Sequence, residues 1–130
     1  MGAKPIRIAI LDMYDGAANI GLRCLHNIIK DWGNQHELNI ETIVFNTRGA
    51  CEIPDDQFDL YLATGGPGSP LESANEQWDQ LFTQWLEHIY AIHKPVFLIC
   101  HSFQIACRHF DLGTVCLRKS RQVGVLPVHT

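Results

Sequence analysis

The sequence contains no Cys-x-x-Cys pair, no run of Lys and Arg that reads as a membrane-surface patch, and no apolar stretch long enough to cross a bilayer. Each absence removes a class of protein. Five cysteines (Cys24, Cys51, Cys100, Cys107 and Cys116) at irregular spacing argue against a secreted disulfide framework and against a zinc site. Ten Lys and Arg against 14 Asp and Glu give a formal net charge of −4. That balance, with a pI near 5.9, leaves no basic footprint for nucleic acid or a membrane surface. The opening MGAKPIRIAILDMYDG has an apolar run interrupted by Arg7 and closed by Asp12, too short and too charged for a signal peptide. Repeats and low-complexity segments are also missing, so the expectation is one cytoplasmic domain over residues 1–130, needing neither metal nor cofactor. At 46% hydrophobic, the chain suits a modest core.

What is present is alternation. Ile6 to Leu11 is a β-rich apolar run, which predicts a strand buried in a parallel sheet. Asp15 and Gly16 break it. Ala17 to Trp32 then carries Ile20, Cys24, Leu25, Ile28 and Ile29 at helical spacing, with Gly33 and Asn34 as the stop. Leu38 to Phe45 predicts a second strand, followed by a polar stretch, and Asp59 to Ala63 a third. Ala74 to His93 is a long amphipathic helix with Trp78, Leu81, Phe82, Trp85 and Ile89 on one face, read as core packing. Pro95 to Ile99 predicts a fourth strand and His101 to Phe110 a helix. The tail from Val115 holds two strand-like pieces, the second being Val123 to Val128. Strand and helix alternating in this way predict a right-handed, doubly wound, mostly parallel α/β sheet.

Sites in such folds form outside the carboxyl ends of the strands. Three loops qualify: Asp12 to Asn19, Gly65 to Pro70, and the Ile99-Cys100-His101 turn. A cysteine between a buried strand and a helix has the setting of a nucleophile elbow, in which a sharp turn lifts the side chain out of the sheet. The helix N-terminus behind it favours negative charge, and the N–H of His101 points where an oxyanion would develop. A free cysteine is more commonly an inert core residue, and Cys24, Cys107 and Cys116 read that way, while Cys51 lies in a polar loop and is as unremarkable. Gly65-Gly66-Pro67-Gly68 lets the backbone turn tightly and approach a ligand, offering the Gly66 N–H as a second donor facing Cys100. Asp15 and Asn19 read as a turn followed by a helix cap. The remaining histidines (His26, His36, His88, His93 and His109) read as surface or core-edge residues.

DLYLATGGPGSPLE followed by KPVFLICHSFQIACRHFDLG resembles the class I glutamine amidotransferases, which show a GGP-type loop and then a Cys with a Gln four positions later. Both features stand here, as Gly65-Gly66-Pro67 and Cys100…Gln104, and the likeness runs through ILDMYDG and RKSRQVGVLPVHT. The resemblance implies a flavodoxin-like amidotransferase fold. It implies that Cys100 attacks the side-chain amide of L-glutamine and that Gln104 holds the substrate in a site shared with Gly65 and Gly68. It further implies that the N–H groups of Gly66 and His101 bind the oxyanion. Ammonia then passes to a synthetase subunit or domain.

The sequence departs from that family in two places. The elbow usually has glycine two residues before and two after the cysteine, where this chain has Leu98 and Ser102. The family also completes its triad with a His-x-Glu pair on a later turn. None occurs before Thr130, and His129 has no Glu two residues on. The expectation is a C-terminally incomplete domain with little turnover of its own. Adjacent Cys100 and His101 also resemble the intracellular protease and chaperone family related to DJ-1, in which neighbouring Cys and His share the catalysis. That group tends to carry Glu where this chain has Asp12. A third reading is a binding or regulatory module without chemistry.

Overall fold

In the computed structural model, which describes residues 4–119, four strands form one parallel sheet. They are β1 (Ile6–Asp12), β2 (Ile40–Asn46), β3 (Leu60–Ala63) and β4 (Val96–Leu98), in the order β2-β1-β3-β4. The register runs Ile6 to Ile40, Ile8 to Leu60, and Tyr61 to Val96. This is the flavodoxin-like α/β topology. Alternate residues of a strand face opposite sides of the sheet, so each face takes its own layer of helix. Ile8, Ile10 and Leu62 pack with Leu22, Leu25 and Ile29 of α1 (Ile20–Gln35). Ala9, Leu11, Tyr61 and Ala63 pack instead with Trp78, Phe82, Trp85 and Ile89 of α4 (Gln77–Ala91) and with Ile105 and Ala106 of α5 (His101–Phe110). Trp78 and Trp85 are core residues, as their spacing predicts. Phe82 is fully buried, and burying a side chain of that size contributes roughly 1.5–3 kcal/mol. No helix among the described residues is long and apolar enough to cross a membrane.

Element boundaries differ from expectation where local polar groups compete. The first helix starts at Ile20 rather than Ala17. Asp15 and Gly16 adopt φ of 58° and 76°, and the Ala17 N–H donates to the Tyr14 carbonyl at 3.1 Å. Asn19 then caps the helix, its Oδ1 accepting the Leu22 N–H at 2.7 Å. The same helix continues through Gly33 to Gln35. Gly33 is buried against β2, where an added Cβ would lie 2.9 Å from Cδ1 of Ile40, so this glycine serves close packing and not termination. The polar stretch after β2 opens with a short helix α2 (Thr47–Ala50), capped by Asn46. The helix expected from Ala74 begins instead at Gln77, as α4, and a separate short helix α3 (Pro70–Ser73) precedes it. The Ser73 hydroxyl, at the end of α3, donates to the buried Asp79 of α4 at 2.5 Å and so joins the two helices. The tail from Val115 to Lys119 forms no strand, because Val115, Cys116 and Leu117 line a cavity beside α5 and pair with no sheet edge. Val123 to Val128 and His129 lie outside the described residues.

The order of strands reverses between β1 and β3. The loops leaving them, Met13–Asn19 and Thr64–Ser69, therefore meet at the switch point where α/β sheets open a crevice. If Asn19 sets the start of α1, Asn19→Ala should cost about 1 kcal/mol in urea unfolding while Asn19→Ser stays within a few tenths. Equal stability of all three proteins would show that the cap is not what holds this helix start.

Candidate active site

Cys100 joins β4 to α5 with φ 51° and ψ −105°, a conformation that L-residues rarely adopt and that costs of order 1–3 kcal/mol. The surroundings hold it there. The Ile99 N–H donates to the Ala63 carbonyl at 3.1 Å and to Oγ of Ser102 at 3.0 Å. The fully buried Ser102 hydroxyl lies 3.0 Å from the carbonyls of both Ala63 and Ile99. The Gln104 N–H donates to the Cys100 carbonyl at 2.9 Å, so α5 begins immediately. Serine at position 102 is thus small enough to fit and also stitches the elbow to the end of β3. Leu98 fits without glycine's freedom, because its side chain packs against the main core. Cys100 itself is exposed.

Facing the elbow is the loop after β3. An added Cβ on Gly65 would sit 3.2 Å from Cβ and 3.9 Å from Sγ of Cys100, so glycine leaves the space over the thiol open. On Gly66 it would fall 2.3 Å from the Met13 carbonyl oxygen, a distance no side chain survives. Gly68 has φ 90°. The buried Thr64 hydroxyl accepts the Met13 N–H at 2.9 Å and donates to the Gly65 carbonyl at 2.9 Å. Arg48 of α2 donates to the Pro67 carbonyl at 2.5 Å and the Met13 carbonyl at 3.4 Å, its guanidinium 5.2 Å above the Trp78 ring. Arg108 of α5 donates to the Pro70 carbonyl and pairs two-pronged with Asp79, which is 1% exposed.

His101 is 1% exposed, and its ring packs 6.1 Å from that of Trp78. Neither ring nitrogen completes a well-formed hydrogen bond among the described residues, although the Gly68 carbonyl bears on the ring. Burial pushes its pKa below the usual histidine value, and the Arg48 guanidinium adds to the effect. The imidazole is therefore neutral at neutral pH. Its backbone N–H belongs to the first turn of α5, where a helix leaves donors without internal partners.

The structure brings Gly65 against Cys100, and it brings Gly68 and Gln104 together in the wall of a cavity of about 510 Å³ that also takes in Pro70, Phe103 and Cys107. Gly66 contacts Met13, and the His101 side chain lies buried away from solvent. Asp15 lies in the turn and Asn19 at the cap. His26, His36, His88, His93 and His109 are exposed, two of them paired with Asp56 and Glu87. Cys24 and Cys116, expected in the core, are instead exposed, Cys24 because α1 turns Leu22, Leu25 and Ile29 to the sheet, while Cys51 packs partly against the core. The residues missed in the sequence are Thr64, Arg48 and Arg108. Arg108 had a signal, standing one helical turn beyond Gln104; Arg48 had none. No group of three or more His, Cys, Asp or Glu among the described residues could hold a metal ion. No family model and no curated protein matches the chain.

Because the folded state depresses the His101 pKa, the unfolded chain binds the proton more readily, and stability falls as pH drops below about 6.5. Above that range the contribution is fully present. Urea unfolding between pH 7.5 and 5 should show the loss in the native protein and a shallower one in His101→Gln. Identical pH slopes would mean that this imidazole is not the group responsible.

Proposed function

We propose that Cys100 is the nucleophile of a class I amidotransferase-type glutaminase site. The observation that carries this reading is the strained, exposed Cys100 at a strand-to-helix turn, with Gly65 keeping the space over its sulfur clear. Strain of this kind persists only where surrounding structure enforces it, and it concentrates at functional positions. A structural cysteine has no need of either feature. Gly68 and Gln104 share the wall of one cavity, whose lining on α5 begins with Phe103 in the first turn and does not take in Cys100, and that cavity supports room for the rest of a glutamine.

In the proposed reaction, Sγ of Cys100 adds to the side-chain amide carbon of L-glutamine. The oxyanion so formed is met by the N–H groups of Gly66 and His101. The C–N bond breaks, and nitrogen takes a proton to leave as ammonia for a synthetase partner. Water then cleaves the γ-glutamyl thioester to glutamate and free thiol. Each proton transfer is typically worth ~10²–10⁴ in rate when a positioned base performs it. These 130 residues contain no His-x-Glu after Cys100, so on this reading they lack the base in the family's form. The buried, neutral imidazole of His101 counts against the alternative in which it shares catalysis with Cys100.

Limiting alkylation followed by mass mapping should modify Cys100 ahead of Cys24, Cys51, Cys107 and Cys116, and millimolar L-glutamine should slow it while leucine does not. Protection requires only the pocket, so it is independent of turnover. Unchanged labelling at saturating glutamine would remove the amidotransferase reading. Peptidase activity abolished by His101→Ala would replace it with the Cys–His hydrolase.

A further inference from the structure

We infer that Thr64 is the positioning residue that orients the oxyanion-binding peptide, with Arg48 holding the Pro67–Gly68 peptide further along the loop; this rests on the glutaminase reading of Cys100. The donor expected from the loop is the Gly66 N–H, which belongs to the peptide whose carbonyl is that of Gly65. A trans peptide is planar, so its N–H points opposite to its C=O, and no cis bond occurs among the described residues. The Thr64 hydroxyl has one proton and gives it to the Gly65 carbonyl at 2.9 Å. That bond ties the carbonyl back toward Thr64 and turns the Gly66 N–H to the other side of the plane.

Two glycines in succession would otherwise leave this peptide free to rotate. Thr64 is itself fixed. It is 2% exposed, its N–H donates to the Leu11 carbonyl at 3.0 Å, and its Oγ1 accepts the Met13 N–H at 2.9 Å. The other side of Met13 closes the arrangement, because its carbonyl is touched by Gly66 and accepts from Arg48. Arg48 also accounts for the Pro67 carbonyl, and so for the peptide leading into Gly68. The loop is thus referenced to the end of β1, which is an interior strand of the sheet.

The test uses the γ-(4-nitrophenyl) ester of L-glutamate in single turnover. Sγ forms a bond to the carbonyl carbon through a tetrahedral oxyanion, the C–O bond breaks, and 4-nitrophenolate leaves with the electron pair. The thiol proton goes to solvent, so no general acid is needed. Removing one oxyanion donor typically costs ~10²–10³ in rate, and freeing it to rotate should cost at least about tenfold. Thr64→Val, which keeps the shape and loses the hydroxyl, should slow acylation by that factor. Thr64→Ser should recover it to within about threefold. Iodoacetamide alkylation of Cys100 builds no oxyanion, and it should stay within about twofold in all variants, as should protection by glutamine. Arg48→Met, at a half-buried side chain, gives a second route should Thr64→Val fail to fold, with acylation several-fold slower and the same two controls unmoved.

Acylation at the native rate in the folded variants would overturn the proposal, and so would a parallel loss of iodoacetamide reactivity. Native protein that is neither acylated by the ester nor protected by glutamine would instead refute the glutaminase reading itself.

Discussion

The carbonyl of Ala63 is where the elbow is hung. It ends β3 and takes hydrogen bonds from the Ile99 N–H at 3.1 Å and the Ser102 hydroxyl at 3.0 Å. Buried backbone polar groups must be satisfied, and a chain turning sharply out of a sheet leaves several of them stranded at once. Ser102 resolves this locally: its hydroxyl accepts the Ile99 N–H and shares its one proton between the carbonyls of Ala63 and Ile99, the latter also taking the Ser102 N–H. With those groups settled, Cys100 is forced to take φ 51° and its side chain emerges into solvent. A glycine at 102 would relieve crowding and contribute none of the hydroxyl's bonds.

Around that point the loops are held by charge. Asp79 is buried and carries the Ser73 hydroxyl and the two-pronged Arg108, so α3, α4 and α5 share one polar junction beneath the loop. A buried carboxylate left alone by loss of its arginine costs roughly 3–5 kcal/mol, which makes the junction a strong constraint on helix placement though a modest net source of stability. Arg108 extends the same constraint to the Pro70 carbonyl, and Arg48 applies a second from the opposite side at Pro67. The loop facing the thiol is therefore pinned at both ends. Its glycines supply the ability to approach, and the arginines supply the fixed position.

The two faces of the sheet divide this labour. The face under α1 is a small aliphatic cluster that does little beyond closing the fold. The face under α4 and α5 is large and aromatic, with Trp78, Phe82, Trp85 and Tyr61 in contact, and it carries the polar junction at its upper rim. Trp78 belongs to both, its ring packing beside His101 and beneath Arg48. An imidazole buried in that layer stays neutral because desolvation and the Arg48 charge outweigh what the Gly68 carbonyl and Asp79 return.

The strands, the helices and the strand-to-helix setting of Cys100 were legible in the sequence because they follow from periodicity. An apolar run such as Ile6 to Leu11 is buried on both sides wherever it sits, and Trp78, Phe82 and Trp85 share a face by spacing alone. Gly65 beside Cys100 was legible for a related reason, since two successive loops at the same end of a parallel sheet are neighbours. Helix limits were less so. Gly33 reads as a stop until Ile40 is seen against it, and the short helix α3 before α4 shows only once Ser73 is seen bonded to Asp79. The bonds of Thr64 and Arg48 could not be found by spacing, because they reach backbone groups far away in the chain: the Thr64 hydroxyl takes the Met13 N–H, and Arg48 donates to the Pro67 carbonyl. The sequence alone determined which residues could do chemistry. Tertiary structure decided which peptide faces which side chain, because a hydrogen bond depends on position in space and the chain order does not encode that pairing.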